Sequence, residues 1–164
     1  MLIEPAINVL ASTPSVMRTM LGSLPDELIG APSRDGWSAR DVVAHLYQRQ
    51  EPAIAGRVRA ILAEPGGPIP DVPAQLMDPA PLRAMPFDEL LAEFERGRAP
   101  CIELLRQVQS EQWMLRGVHS TIGELSIADV VHHTAYHDLV HIAQAAELAG
   151  APFEPLRGAM RQFR

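Results

Sequence analysis

Apolar residues recur every three or four positions along most of this chain, which is the period of an amphipathic α-helix. The first such stretch begins at Thr13, a capping residue, with Pro14 at the first helical position, and it predicts a helix over residues 13–24. A start near Pro5 is disfavoured, because Pro14 would then lie inside the helix and remove a backbone hydrogen bond.

A second helix is predicted from Ser38, whose hydroxyl can form a capping box with Asp41. Its apolar face runs from Val42 to Ile61, and Pro52 interrupts it. Because proline clashes with the preceding helical turn, we expect this helix to kink or to break into two pieces.

The segment Pro65–Pro86 contains seven prolines and two adjacent glycines, so it predicts a long loop. Long loops inside a compact domain are commonly functional, and we expect this one to cover a site or to form part of a dimer contact. Four of its apolar residues are expected to pack against the rest of the chain: Ile69, Val72, Leu76 and Met77.

A third helix is predicted over Phe87–Val108, and a fourth from the capping pair Ser126 and Asp129 to about Gly150. A short terminal helix is predicted over residues 153–163. No segment alternates with period two for long enough to predict a sheet. The predicted fold class is therefore all-α, a four-helix bundle with a long proline-rich loop between its second and third helices.

The bulk composition is that of an ordinary globular protein. At 164 residues, 47% hydrophobic and 21% charged, the chain is expected to form one domain, residues 1–164. It has no run of about 18 apolar residues, and its amino terminus does not resemble a signal peptide, so we expect a cytoplasmic protein with no membrane partner. A net charge of −6 and the absence of a basic stripe argue against nucleic-acid binding.

Residue types that the chain lacks exclude several kinds of chemistry. All fourteen basic residues are arginine, so there is no lysine for a Schiff base, a pyridoxal phosphate linkage or a phosphate-binding loop. Cys101 is the single cysteine, which excludes an internal disulfide and zinc sites built from several thiolates. We expect Cys101 to pack in the core, and histidine and carboxylate remain as metal ligands.

Histidines provide the main candidate site. His133, His137 and His141 follow one another at intervals of four residues on the fourth helix, so their side chains lie on neighbouring turns. The helical projection places His137 and His141 toward the bundle interior, His133 beside them and His132 on the exposed opposite side. His45 flanks the apolar face of the second helix and is the predicted third ligand. Alternatively, these are core histidines hydrogen-bonded to backbone or carboxylate groups.

The positions of four other polar residues also indicate possible roles. His119 lies in a glycine-flanked loop, where it could line the site or face solvent. Asp138 is expected on the solvated face of the fourth helix. Arg49 and Arg57 lie on the histidine-bearing second helix and are candidates for binding an electrophilic substrate.

Taken together, several stretches resemble the DinB-like family of bacterial metal-dependent proteins: Trp37–Leu46, Trp113, Gly117 to His119, Gly123, Leu125 and His133 to Gln144. The resemblance implies a four-helix bundle with up-down-down-up connectivity, commonly dimeric. It also implies a three-histidine metal centre, which falls on His45, His137 and His141. Relatives in this family act as thiol-dependent transferases or isomerases with low-molecular-weight thiols such as bacillithiol, mycothiol or glutathione.

These observations lead to a functional expectation. We expect a homodimeric protein that binds a divalent metal ion and acts on a small-molecule substrate or thiol. The expected activity is that of a thiol S-transferase or a related Lewis-acid enzyme. If the metal activates water, the activity would be that of a hydrolase. Zinc or nickel is the expected ion, and iron and manganese stay open. The alternative is a non-enzymatic metal- or ligand-binding stress-response bundle, and a bundle without metal is the third hypothesis.

Overall fold

The described residues, 2–72 and 79–163 of a computed structural model, are mostly helical. The helices are α1 (Ile3–Leu21), α2 (Asp26–Ile29), α3 (Ala39–Arg49), a π-helical segment (Gln50–Gly56), α4 (Arg57–Ala63), α5 (Pro79–Ala84), α6 (Phe87–Gln107), α7 (Ile127–Gly150) and a 3-10 segment (Ala151–Gln162). Strands β1 (Arg116–His119) and β2 (Gly123–Ser126) form an antiparallel hairpin between α6 and α7. Within these ranges, no helix is long and apolar enough to cross a membrane.

Four long helical rods form the bundle, which confirms the predicted fold class. They are α1, the composite of α3, the π-helical segment and α4, then α6 and α7. Both α1 and the composite rod pack against α6 and against α7. Therefore α1 and the composite rod lie on one diagonal of the bundle, and α6 and α7 lie on the other.

The direction of each rod follows from two clusters of buried apolar side chains. One cluster takes the first half of α1 and of α7 and the second half of the composite rod and of α6; its members include Leu10, Val58, Leu105 and Val131. The other takes the opposite halves; its members include Leu21, Leu46, Leu90 and Ala145. The composite rod and α6 therefore run in one direction and α1 and α7 in the other, which is the up-down-down-up order that the resemblance implied.

Two consecutive parallel rods require a connection that returns along the bundle, and the described parts of this connection are residues 64–72 and 79–86. Ile69 is buried in the first cluster and Leu82 in the second, so the connection touches both ends. The predicted loop thus includes the short helix α5. Val72 is half-buried.

Two apolar residues of the predicted loop, Leu76 and Met77, lie outside the described residues.

Helix α1 begins at Ile3, so the predicted start at Thr13 was wrong. Pro14 lies inside the helix and has no N–H to donate to the carbonyl of Leu10. That carbonyl instead accepts a hydrogen bond from Nη1 of the buried Arg98, at 3.2 Å. A tertiary hydrogen bond therefore replaces the local one, and the helix continues through the proline.

The irregularity predicted at Pro52 takes the form of π-helical turns, and the rod does not break. In a π-helix, each backbone hydrogen bond joins residues five apart instead of four. Pro52, which has no N–H to donate, lies within this wider segment. The Cys101 thiol, buried as predicted, donates to the Gln50 carbonyl at 3.4 Å. The segment is therefore held against α6.

The hairpin was not predicted, because strands of four residues are too short for a period-two pattern to stand out. Gly123 adopts a φ of +86° at the start of β2, which completes the tight turn. Ser126 ends β2 and caps α7, accepting from the Asp129 N–H in the predicted capping box. The hairpin therefore fixes the position at which α7 begins. The predicted terminal helix forms as the exposed 3-10 segment.

Candidate metal centre

Three imidazoles meet between the composite rod and α7. Nε2 of His137 lies 3.2 Å from Nε2 of His45 and 3.2 Å from Nε2 of His141. One nitrogen from each of the three rings lies within 4.8 Å of the other two. His45 is buried and the other two are half-buried. The structure therefore brings together the three residues that the sequence singled out.

Neighbouring side chains hold two of these rings in place. Nδ1 of His141 lies 2.7 Å from Oε1 of Gln144, which can accept only if Nδ1 carries the proton. The Nε2 lone pair of His141 then faces the cluster. The Trp37 ring packs edge-on against His45 and stacks near His141, with centroid distances of 5.4 and 6.3 Å.

The three imidazoles are held in their neutral form. Burial, and then the charge of His141, lower the pKa of His45 to about 4. Burial and the neighbouring His141 and His45 lower the pKa of His137 to about 3. Burial also lowers the pKa of His141. Neutral imidazole is the form that binds a metal ion.

A pocket of about 280 Å³ opens over the cluster. Its walls are Trp37, His45, Arg49, His133, His137 and His141. The volume is close to that of small-molecule sites, so a ligand can reach the imidazole nitrogens from this side.

A narrow crevice adjoins the pocket and shares Arg49, His133 and His137 with it. Its volume of about 10 Å³ is about that of one water molecule. Arg57 and Asp138 also line this crevice, so both predicted arginine candidates lie beside the cluster.

Asp138 is buried at 1% exposure, so its predicted place on a solvated face was wrong. Its Oδ2 accepts from Nη1 of Arg98 at 2.7 Å, and Arg98 is equally buried, at 2%. The signal was present in the spacing, because Asp138 lies four residues after the buried Thr134 and seven before the buried Ala145. The pattern along α7 gave no sign of its partner, Arg98, which lies on α6.

The structure also locates the three histidines outside the cluster, His133, His132 and His119. His133 lines the pocket beside His137, at 6.2 Å between ring centroids, as predicted. His132 is half-buried with its Nε2 covered, so its predicted place on the exposed side of the helix was wrong. His119 is buried on β1, where its Nε2 lies 2.9 Å from Asp71 and 3.2 Å from Nη2 of Arg57. It therefore contacts a crevice residue and is not one of the lining residues.

Comparison with known proteins identifies the family to which this chain belongs. The profile of the DinB superfamily matches residues 10–145. A solved structure, YfiT from Bacillus subtilis, described as a probable metal-dependent hydrolase with an unusual four-helix bundle topology, superposes with a TM-score of 0.79 at 21% identity, over 92% of this chain and 87% of that one. No match was found among curated protein sequences. Because the profile covers most of the bundle and the solved structure shares its fold, this chain belongs to the DinB superfamily.

Proposed function

We propose that the protein binds one divalent metal ion through Nε2 of His45, His137 and His141 and uses it in a metal-assisted reaction on a small molecule. One observation carries the proposal: three imidazole Nε2 atoms point at one another, with two separations of 3.2 Å. Neutral rings in this arrangement cannot satisfy all three nitrogens by hydrogen bonds among themselves.

The spacing fits the ion. Nitrogens bound to a tetrahedral zinc at about 2.0–2.1 Å from the metal lie roughly 3.4 Å apart. The two short separations are close to this value, and Gln144 holds the protonated face of His141 away from the cluster. The Nδ1 of His45 is buried without a hydrogen-bond partner among the described residues, and the Trp37 ring packs edge-on against this imidazole.

The reaction class follows from what the pocket leaves accessible. The three imidazoles line the pocket. A divalent ion that they held would act as a Lewis acid that favours the anionic form of a thiol or of water at neutral pH. We propose thiol S-transfer as the first candidate reaction. Hydrolysis is the second, because the similar YfiT is described as a probable metal-dependent hydrolase.

Elemental analysis of untagged protein, purified without added metal, tests the centre. We expect about one zinc or nickel ion per chain, and less than a tenth of that in a His137→Ala, His141→Ala double variant, because one imidazole cannot hold the ion. His133→Ala removes the neighbouring imidazole outside the cluster and is the matched control, expected to keep the metal. Metal-free parent protein that also fails to bind added zinc, nickel, iron or manganese would make the cluster structural.

A panel of thiols with an electrophilic chromogenic substrate separates the two reactions. Transfer requires thiol consumption in step with product, whereas hydrolysis proceeds without thiol. Metal-loaded protein that does neither supports the alternative of a metal-binding protein without catalysis.

A further inference from the structure

The outer face of α7, on the side away from the rest of the bundle, is apolar where a surface helix ordinarily carries charged residues. Tyr136 is 68% exposed, Leu139 50% and Val140 46%, and Ala143 is exposed beside them. These side chains lie on neighbouring turns of one helix, so they form a contiguous apolar patch. A contiguous patch of this kind marks a surface that binds a partner.

The exposed positions of this face follow the spacing by which two α-helices pack along their length. The outer seam, as we call it, consists of His133, Tyr136, Val140, Ala143 and Glu147, which are separated alternately by three and by four residues. This is the repeat of a coiled-coil seam. The buried residues of α7 lie on its other side, against the bundle. The helix therefore has two packing faces, and the described residues of this chain cover the inner one.

Charge at the ends of the outer face selects the direction of a partner helix. Asp129 lies in the first turn of α7 and Glu147 near its end, and both are exposed. The one carboxylate between them, Asp138, is buried and paired with Arg98. A second α7 running parallel about a two-fold axis would place Asp129 against Asp129 and Glu147 against Glu147. Like charges opposed in this way cost binding energy, so the parallel arrangement is disfavoured.

An antiparallel copy of α7 fits the same seam without this repulsion. With the two-fold axis near Val140, residues equally far from Val140 on either side face each other. His133 and Glu147 are each seven residues from Val140, so an imidazole N–H of one chain can donate to the carboxylate of the other. Tyr136 and Ala143 lie four and three residues from Val140, so a large side chain faces a small one. The seam is therefore complementary to itself, as an interface between two identical chains requires.

The antiparallel arrangement also brings together two other exposed apolar patches. The hairpin, which leads directly into α7, exposes Val118 and Ile122, at 41% and 68%. The 3-10 segment that directly follows α7 exposes Phe153, Leu156 and Met160, at 49–78%. In an antiparallel pair, the 3-10 segment of one chain lies at the hairpin end of the other. A stable interface involves about 20–30 residues on each side, and these end patches extend the seam toward that size.

We propose that the outer seam is the interface of a homodimer in which a second copy of this chain packs antiparallel, about a two-fold axis near Val140. The seam reaches the pocket above the three-imidazole cluster, because His133 belongs to both. Glu147 of the partner subunit therefore lies at the rim of the pocket and supplies a carboxylate there. The described walls of the pocket within one chain contain no acidic residue, so the dimer adds a group that one chain does not supply. The interface needs no metal ion and stands independently of the proposed function.

Sedimentation equilibrium of the untagged full-length chain tests the interface, and we expect a dimer. Ala143→Glu should raise the dissociation constant at least about 100-fold, because the seam would then bury a charge that has no partner. Ala99→Glu is the matched control, since Ala99 is exposed on α6, the rod diagonally opposite α7, and it should leave the dissociation constant unchanged. A monomeric parent, or an Ala143→Glu variant that dimerises like the parent, would overturn the proposal.

Disulfide cross-linking tests the direction of the pair with uncharged substitutions, so it decides the matter if Ala143→Glu fails to fold. Cys101 is buried, so an introduced surface cysteine is the thiol that an oxidant reaches. An equimolar mixture of Tyr136→Cys and Ala143→Cys proteins should give a cross-linked dimer with one chain of each, because these positions face each other. Either variant alone should cross-link far less, since the two copies of one position lie on opposite sides of the axis.

Ala99→Cys, mixed with either protein, is the control and should give no cross-linked dimer. Efficient cross-linking of Tyr136→Cys alone or of Ala143→Cys alone would indicate a parallel pair and overturn the antiparallel one. Absence of the mixed dimer would exclude the outer seam as the interface.

Discussion

Gln144 shows how one hydrogen bond can prepare an imidazole for a ligand role. Its Oε1 accepts from Nδ1 of His141, so Nε2 is left unprotonated toward the cluster. We expect Gln144→Leu to lower zinc affinity by about 10–100-fold, because partners of this kind orient the ring and raise its basicity. Competition with a chromophoric chelator measures the affinity.

Gln107→Leu is the control for this prediction, because Gln107 bonds within an exposed helix turn, to Glu103 at 2.9 Å. Unchanged zinc affinity in Gln144→Leu would remove Gln144 from the centre.

Arg98 connects all four rods through a single guanidinium. It lies on α6 and bonds to the Leu10 carbonyl on α1, to Gln50 in the π-helical segment and to Asp138 on α7. Replacing it by methionine leaves the Asp138 carboxylate buried and unpaired, so we expect the free energy of unfolding to fall by about 3–5 kcal/mol. Urea denaturation measures the loss.

Arg96→Met is the control, because Arg96 is 62% exposed, and it should change stability by less than about 0.5 kcal/mol. An Arg98→Met, Asp138→Leu double variant should recover part of the loss, since no unpaired charge remains. A loss in the double variant equal to the sum of two single losses would contradict the pairing.

At this scale, the sequence predicted what was local and missed what was not. The spacing of His137 and His141 is a property of one helix, and His45 carried its own apolar flank, so all three were found. Arg98 and Asp138 are separated by 40 positions, and no pattern on either helix names the other. Asp138 could have been placed inside by its spacing from Thr134, although an acidic residue ordinarily argues for the surface.

The capping box at Ser126 joins α7 directly to β2. Ser126 accepts from the N–H of Asp129, whose carboxylate accepts in return from the Ser126 N–H and hydroxyl. We expect Ser126→Ala to cost about 1 kcal/mol at neutral pH. The Ser126 hydrogen bonds lower the pKa of Asp129, so the contribution is present above the unfolded pKa of about 3.9 and is lost as pH falls through the lower folded value.

Thermal melts of parent and variant at pH 7 and at pH 3 check this expectation. The difference in stability should shrink at pH 3, and an equal difference at both values would show that the carboxylate takes no part.

The hairpin packs through Gly117 against α4 and the segment that follows it. A Cβ on Gly117 would overlap Cγ2 of Ile69 and lie 3.2 Å from the Gly67 carbonyl oxygen. We expect Gly117→Ala to destabilise the protein by about 1–3 kcal/mol through overpacking. Gly150→Ala, where a Cβ meets nothing within 4 Å, is the control, and chemical denaturation compares the two. Equal stabilities would mean that the hairpin shifts without cost.

Elements were predictable where the chain carried its own start and stop signals. The boxes at Ser38 and Ser126 marked the beginnings of α3 and α7. Pro14 led to a wrong start for the first helix, because the hydrogen-bond partner of the Leu10 carbonyl lies on a different rod, α6. The π-helical segment likewise depends on contacts with α6, which a pattern along one helix does not contain.

For the molecule as a whole, acid should destabilise the metal-free form. Burial lowers the pKa of His45 to about 4 and that of His137 to about 3, whereas an unfolded histidine titrates near 6.5. Between pH 6.5 and 4 the unfolded chain therefore binds more protons, and stability falls with falling pH. Melting temperatures of metal-free protein from pH 7.5 to 5 should decrease.

A His137→Gln, His141→Gln variant should show a flatter pH dependence, because two of the three clustered imidazoles are gone. A parent and a variant with the same slope would assign the pH dependence to other groups.

The separation of His45 and His137 by 92 positions in the chain has a consequence for protein synthesis. On the ribosome, His45 emerges long before α7, so a nascent chain presents one imidazole of the three for most of its elongation. Domain folding during translation proceeds from the amino terminus, and here the last rod completes the cluster. If the triad holds the proposed metal ion, capture of that ion by all three imidazoles therefore waits until α7 has been synthesised, and a prematurely terminated product that ends before α7 would lack His137 and His141.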